Sequence, residues 1–221
     1  MTYTDIAIFA MEIIGSIAFA SSGAMLGIRK EMDLFGVCVL GVTTAVGGGL
    51  VRDIILGITP PNMFQKPVYT IVALAVCLLL FAILYAKQKL LENKIAIFYD
   101  RIMSLFDAIG LGIFTVVGIN TAINAGYDQK FLLVFVGVMT GVGGGLIRDM
   151  MARVQPYILT KHIYACASIA GAVLCVFCVN VVGRLPAMLL GTCLVILIRI
   201  LASHYRWSLP KIKGIEKEDI H

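Results

Sequence analysis

Gly47-Gly48-Gly49-Leu50-Val51-Arg52-Asp53 decides how this chain is read, because it returns almost unchanged as Gly143-Gly144-Gly145-Leu146-Ile147-Arg148-Asp149. Both copies lie inside long apolar runs. Glycine in the middle of a helix costs roughly 1 kcal/mol relative to alanine. An arginine beside an aspartate is costly inside a membrane. Both faults occurring together, twice, mark a site, and the rest of the chain reads as the scaffold that tolerates them.

The scaffold is a membrane one. Of 221 residues, 60% are hydrophobic and 14% charged, where a soluble domain carries about 25% charged residues. The apolar residues come in blocks of about 18 or more, the length a transmembrane helix needs. The leader Met1-Thr2-Tyr3-Thr4-Asp5 has no positive charge, and the block behind it is too long for a signal peptide. Seven spans are predicted at roughly 5–27, 33–57, 66–86, 100–126, 130–153, 160–182 and 185–205. The longest connection is 87–99, and a polar tail follows from Arg206. The fold class is therefore an all-α membrane protein with seven transmembrane helices.

Charge placement sets the orientation. Arg29, Lys30, Lys87, Lys89, Lys94, Arg101, Arg153, Lys161 and the basic residues of the tail fall on one side. Lys66, Lys130 and Arg184 fall on the other. The positive-inside rule then places the N-terminus outside and the C-terminus in the cytoplasm. Arg52, Arg148 and Arg199 are left within the spans.

The repeat extends beyond the glycines. Glu12, Gly15, Phe19 and Gly23 match Asp107, Gly110, Phe114 and Gly118, each 95 positions on. Lys66-Pro-Val-Tyr69 matches Lys161-His-Ile-Tyr164 at the same separation. The unit is three spans, so two copies cross the membrane in opposite senses. Such inverted repeats place ion or substrate sites near the midplane, in broken helices. The chain divides into a first repeat with its connecting loop (1–98), a second, inverted repeat (99–183), a seventh helix (184–205) and a cytoplasmic tail (206–221).

At 1.5 Å per residue, Gly47 and Gly143 each lie about 20 Å along their spans, near the middle of the bilayer. Two readings of the triplets stand. In one, helices broken at Gly47–Gly49 and Gly143–Gly145 line a path, and freed carbonyls with the Thr44 and Thr140 hydroxyls replace part of a cation's hydration shell. In the other, small residues let helices pack closely. Depth pairs Glu12 with Arg52 and Asp107 with Arg148, as supporting charges with Asp53 and Asp149 one step away. Arginines beside a cation path act as plugs or gates, or serve only as ion-pair partners. Lys66, Tyr69, Lys161 and Tyr164 open the third and sixth spans, where they snorkel and anchor at the interface or serve a pore mouth or lipid.

Several classes are excluded. No nucleophile–base set or metal-ligand spacing occurs, and the triplets lack the GK[ST] ending of a phosphate loop. No enzyme, cofactor or metal is expected. The six cysteines sit in apolar blocks and read as small buried hydrophobes. A single Trp and scattered basic residues carry no nucleic-acid signature.

Seven spans, a doubled three-span unit and paired GGGxxRD motifs resemble the prokaryotic trimeric intracellular cation (TRIC) channels over about residues 5–205. The resemblance implies a homotrimer with an hourglass pore in each protomer, passing potassium and some sodium. It implies kinks at Gly47–Gly49 and Gly143–Gly145, with Arg52, Asp53, Arg148 and Asp149 in the conduction region. It also implies a bacterial or archaeal inner membrane and lipid contacts. Relatives of this type are labelled as transporters of glycine or other small amino acids, so a carrier of a small zwitterion is the alternative.

Overall fold

The structure, a computed structural model, describes residues 3–86, 95–160, 163–205 and 207. Its helices are α1 (Tyr3–Arg29), α2 (Leu34–Ile55), α3 (Asn62–Gln65), α4 (Val68–Ala86), α5 (Ile95–Asn124), α6 (Lys130–Met151), α7 (Tyr157–Thr160), α8 (Tyr164–Val182) and α9 (Arg184–His204). Seven of them, all but α3 and α7, are long and apolar enough to cross a membrane. The expected spans are therefore present, with shifted ends. α5 starts at Ile95, inside the expected 87–99 connection. The short helices α3 and α7, which hydropathy does not register, follow the two glycine-bearing helices at matching places.

Local chemistry explains the ends. Asp33 caps α2, its Oδ1 accepting from the Gly36 N–H at 2.7 Å, which satisfies one orphan donor of the first turn. Helices α2 and α6 close alike: Ile58 N–H donates to the Asp53 carbonyl and Val154 N–H to that of Asp149. This wrap needs a left-handed residue after the helix. Gly57 (φ 68°) supplies it after α2, and Arg153 (φ 51°) takes the same conformation after α6.

The core forms where the two halves meet. α1 packs on α2, α5 on α6, and α2 crosses α6. The Phe19 and Phe114 rings, one from each repeat, stack with centroids 5.3 Å apart. Phe19 lies where a side chain on Gly110 would be, and Phe114 lies against Gly15. α4 flanks α1 and α2, while α8 and α9 flank α5 and α6. α4 leaves Ile71, Leu74, Leu78, Leu79 and Ile83 exposed, as a membrane-facing helix does.

One expectation is corrected. α2 and α6 run through their glycine triplets without interruption, so neither helix is broken there. A Cβ built on Gly48 would collide with the Thr140 carbonyl oxygen, and one on Gly144 with that of Thr44. Glycine is used here for close backbone approach, and contact between the helices offsets its low helix propensity.

Candidate functional site

The crossing of α2 and α6 is the waist of the molecule. Gly47 and Gly48 face Gly143 and Gly144 across it. The Thr44 and Thr140 hydroxyls are turned away from this contact. Thr44 Oγ1 donates to the Leu40 carbonyl and Thr140 Oγ1 to the Val136 carbonyl, each at 2.6 Å, a back-bond to the preceding turn. Both hydroxyls abut glycines of the neighbouring helix, Gly23 and Gly118. Only the threonine carbonyls reach the crossing, and these remain inside helical turns.

On one side of the waist lies a cavity of about 610 Å³. Asp5, Gln65 and Lys66 are exposed at its mouth, while Gly49, Phe114 and Asn120 line its depth. Glu12, Arg52, Asp53 and Tyr69 also line it. The Tyr69 hydroxyl donates to Glu12 Oε2. Arg52 bonds its own neighbour instead of Glu12: Nε donates to Asp53 Oδ1 at 2.8 Å and Nη2 lies 2.7 Å from the same oxygen. The expected Glu12–Arg52 pair is thus replaced by Glu12–Tyr69 and Arg52–Asp53. Asp53 is also a capping hub, since its Oδ2 accepts from the Asn62 N–H at 2.7 Å at the start of α3. The Asn120 Oδ1, buried at this cavity, has no hydrogen-bond partner.

On the other side the matching residues are packed shut. Arg148 and Asp107 are fully buried, with Nη1 to Oδ1 at 2.6 Å, so this expected pair is present. Arg148 Nε also donates to Asp149 Oδ1 at 2.8 Å, and Nη1 donates to Ser22 Oγ of α1. Asp149 Oδ2 accepts from the Tyr157 N–H at 2.8 Å at the start of α7, as Asp53 does for α3. The Tyr157 ring lies under the Arg148 guanidinium at 5.2 Å, and burial pushes its hydroxyl up to about 12. Tyr164 is buried, and a Cβ on Gly145 would sit 2.8 Å from its hydroxyl. Arg199 of α9 completes the cluster, stacking over the Tyr164 ring at 4.7 Å. Buried charges are held this way, by pairing and by rings that accept a cation on their face.

The sequence-derived residues therefore divide. Glu12, Gly49, Arg52, Asp53, Lys66 and Tyr69 share the open cavity. Asp107, Gly145, Arg148, Asp149 and Tyr164 share the closed cluster. Gly47, Gly48, Gly143 and Gly144 form the waist between them. Tyr69 bonds the half-buried Glu12, and Tyr164 is buried beneath the Arg199 guanidinium. Lys161 lies outside the described residues. Reading the sequence missed Ser22, Asn62, Asn120 and Tyr157, and left Arg199 unassigned, although an arginine inside an apolar span is itself a signal. Among the described residues, no group of three or more His, Cys, Asp and Glu side chains is arranged to hold a metal ion.

The chain matches the family model described as glycine transporter twice, over residues 9–85 and 104–180. The two matches carry the same offset as the internal repeat. It is 36% identical to the UPF0126 inner membrane protein YadS of Escherichia coli, over 92% of this chain and 95% of that one. Two solved structures share the fold. One, described as a basis for conductance through TRIC cation channels, is 34% identical with a TM-score of 0.79, covering 96% of this chain and 98% of that one. Another, a prokaryotic TRIC channel crystallised in KCl, is 30% identical with a TM-score of 0.82, covering 92% and 99%. This multi-pass membrane protein belongs to the family that unites the glycine-transporter model, the UPF0126 inner membrane proteins and the prokaryotic TRIC channels.

Proposed function

We propose that the chain is a monovalent-cation channel, passing potassium and some sodium, that assembles as a homotrimer with a path through each protomer. The observation that carries this reading is the likeness to TRIC cation channels over more than nine-tenths of the chain. A cavity lined by Glu12, Arg52 and Asp53 that reaches Gly49 of the first triplet agrees with it. The path would run from the Glu12–Arg52 cavity, past Gly47–Gly49 and Gly143–Gly145, to the Asp107–Arg148 cluster. With the N-terminus outside, the cavity faces outward and the packed cluster faces the cytoplasm. The three-span units then form an inverted repeat about the waist. In this conformation the path is shut on the cytoplasmic side. Lys66 sits at the outer mouth, where it repels cations or recruits lipid headgroups.

Recording purified protein in a planar bilayer tests the reading. Discrete potassium conductance steps are expected. Light scattering in detergent, corrected for bound detergent, is expected to give three chains of 23.9 kDa, and a mass of one or two chains removes the trimer.

A second reading is a carrier for glycine or another small zwitterion. It is favoured by the description of the family model and by opposite charges, Glu12 and Arg52, lining one cavity. Saturable uptake of glycine into proteoliposomes without conductance steps establishes the carrier.

A further inference from the structure

Among the described residues, four polar atoms of the closed cluster have no hydrogen-bond partner. Arg148 Nη2 keeps an ion pair with Asp149 Oδ1 at 2.8 Å, which leaves three, Asp107 Oδ2, the Tyr164 hydroxyl and Arg199 Nε. All three residues are buried. Arg199 Nη2 stands 3.8 Å from Asp107 Oδ2, too far for a hydrogen bond, while Arg148 holds the other oxygen at 2.6 Å. Unsatisfied buried groups are costly. Here the three belong to groups that fit one another: a carboxylate oxygen, a hydroxyl and a guanidinium.

The other half of the repeat shows what the satisfied arrangement is. Glu12, the counterpart of Asp107, is off its arginine and accepts from Tyr69, the counterpart of Tyr164. Arg52 then holds Asp53 alone among the acids, and that half contains the cavity. In the second half the acid is still on its arginine, the tyrosine hydroxyl is unused, and the half is packed shut.

We propose that opening the second half hands Asp107 from Arg148 to Tyr164 and Arg199, reproducing the Glu12–Tyr69 hydrogen bond of the first. Tyr164 and Arg199 are thus positioning residues for the conducting state. In the closed state the Tyr164 hydroxyl gives Asp107 no hydrogen bond and Arg199 reaches it only as an ion pair at 3.8 Å, and a group shifts an equilibrium only by its difference between states. Arg199 comes from the helix outside the repeat and supplies charge compensation that Tyr164 cannot. Arg148 keeps Asp149 throughout, as Arg52 keeps Asp53.

The inference rests on the channel reading, and the test separates the two. Tyr164→Phe removes a hydroxyl that bonds nothing in this state, so its melting temperature in detergent is expected within about 2 °C of wild type. Its open probability in the bilayer is expected to fall about tenfold, the scale of one hydrogen bond to a charge. Arg199→Gln is expected to lower open probability at least as much, with Arg199→Lys restoring part of it. Amide hydrogen exchange across Gly143–Arg148 is measured on the same proteins in detergent, where Tyr164→Phe is expected to slow it. A wild type without conductance, but with exchange slowed by Tyr164→Phe, overturns the channel reading and keeps the hand-over. Conductance steps with open probability and exchange unchanged, or raised, in Tyr164→Phe overturn the hand-over and keep the channel.

Discussion

Glu12 and Asp107 hold equivalent places in the two copies of the repeat, but their surroundings differ. Glu12 is half-buried, faces a cavity and accepts from a tyrosine. Asp107 is fully buried and clasped by an arginine. The same contrast runs through Arg52 and Arg148: both bond the aspartate that follows them, and only Arg148 reaches a second acid. The lesson is that the Arg-Asp pair is a constant of the scaffold. It ties the helix end to the short helix beyond it, through Asp53 to Asn62 and through Asp149 to Tyr157. The variable is the acid on the preceding helix, which is free of the arginine in one half and bound to it in the other.

The largest expected effect breaks the bound half. Arg148→Gln leaves Asp149 buried without its counter-ion and Asp107 with Arg199 alone, at 3.8 Å, and is expected to cost about 3–5 kcal/mol, seen as a large fall in melting temperature. Adding Asp107→Asn is expected to recover much of it. Arg52→Gln, beside a cavity that water can reach, is expected to cost under about 2 kcal/mol and to change conductance more than stability. Equal melting of the two single variants removes the contrast between the halves.

The waist is shared, so it gives symmetric losses. Gly48→Leu and Gly144→Leu each push a side chain into the partner's backbone carbonyl. Each is expected to cost about 3 kcal/mol, at the upper end of overpacking, and to abolish ion flux. Normal flux in both variants, with normal expression, rules out a path through the crossing.

The smallest effect sharpens the comparison most. Gly49 and Gly145 are the third glycines of the two triplets. A Cβ on Gly49 meets only the Arg52 guanidinium, at 3.7 Å, whereas one on Gly145 meets the Tyr164 hydroxyl at 2.8 Å. Gly49→Ala is expected to be neutral or to stabilise by up to about 1 kcal/mol through helix propensity. Gly145→Ala is expected to cost about 1 kcal/mol as Tyr164 gives way. Melting temperatures of the two variants, side by side, check this.

The Asp107–Arg148 pair was legible because two opposite charges at one depth in an apolar protein must meet. The same argument failed for Glu12 and Arg52. Asp53 adjoins Arg52 in the chain, and Tyr69, on a third helix, met the need of the acid. Depth counts residues along a helix and says nothing about which neighbour faces which.

The sequence by itself determined the spans, the doubled unit and the membrane-buried charges. Hydropathy, repeat spacing and charge cost are properties of the chain alone, and each leaves a one-dimensional mark. Tertiary structure alone decided that the glycine helices stay continuous, because the compensation for poor helix propensity comes from a partner backbone about 100 residues away in the chain. It also decided that one half is open and the other shut. Near-identical motifs permit either state, and the closed half is held by groups set around the Asp107–Arg148 pair, Tyr164, Arg199 and Ser22, which come from three helices that no local pattern connects.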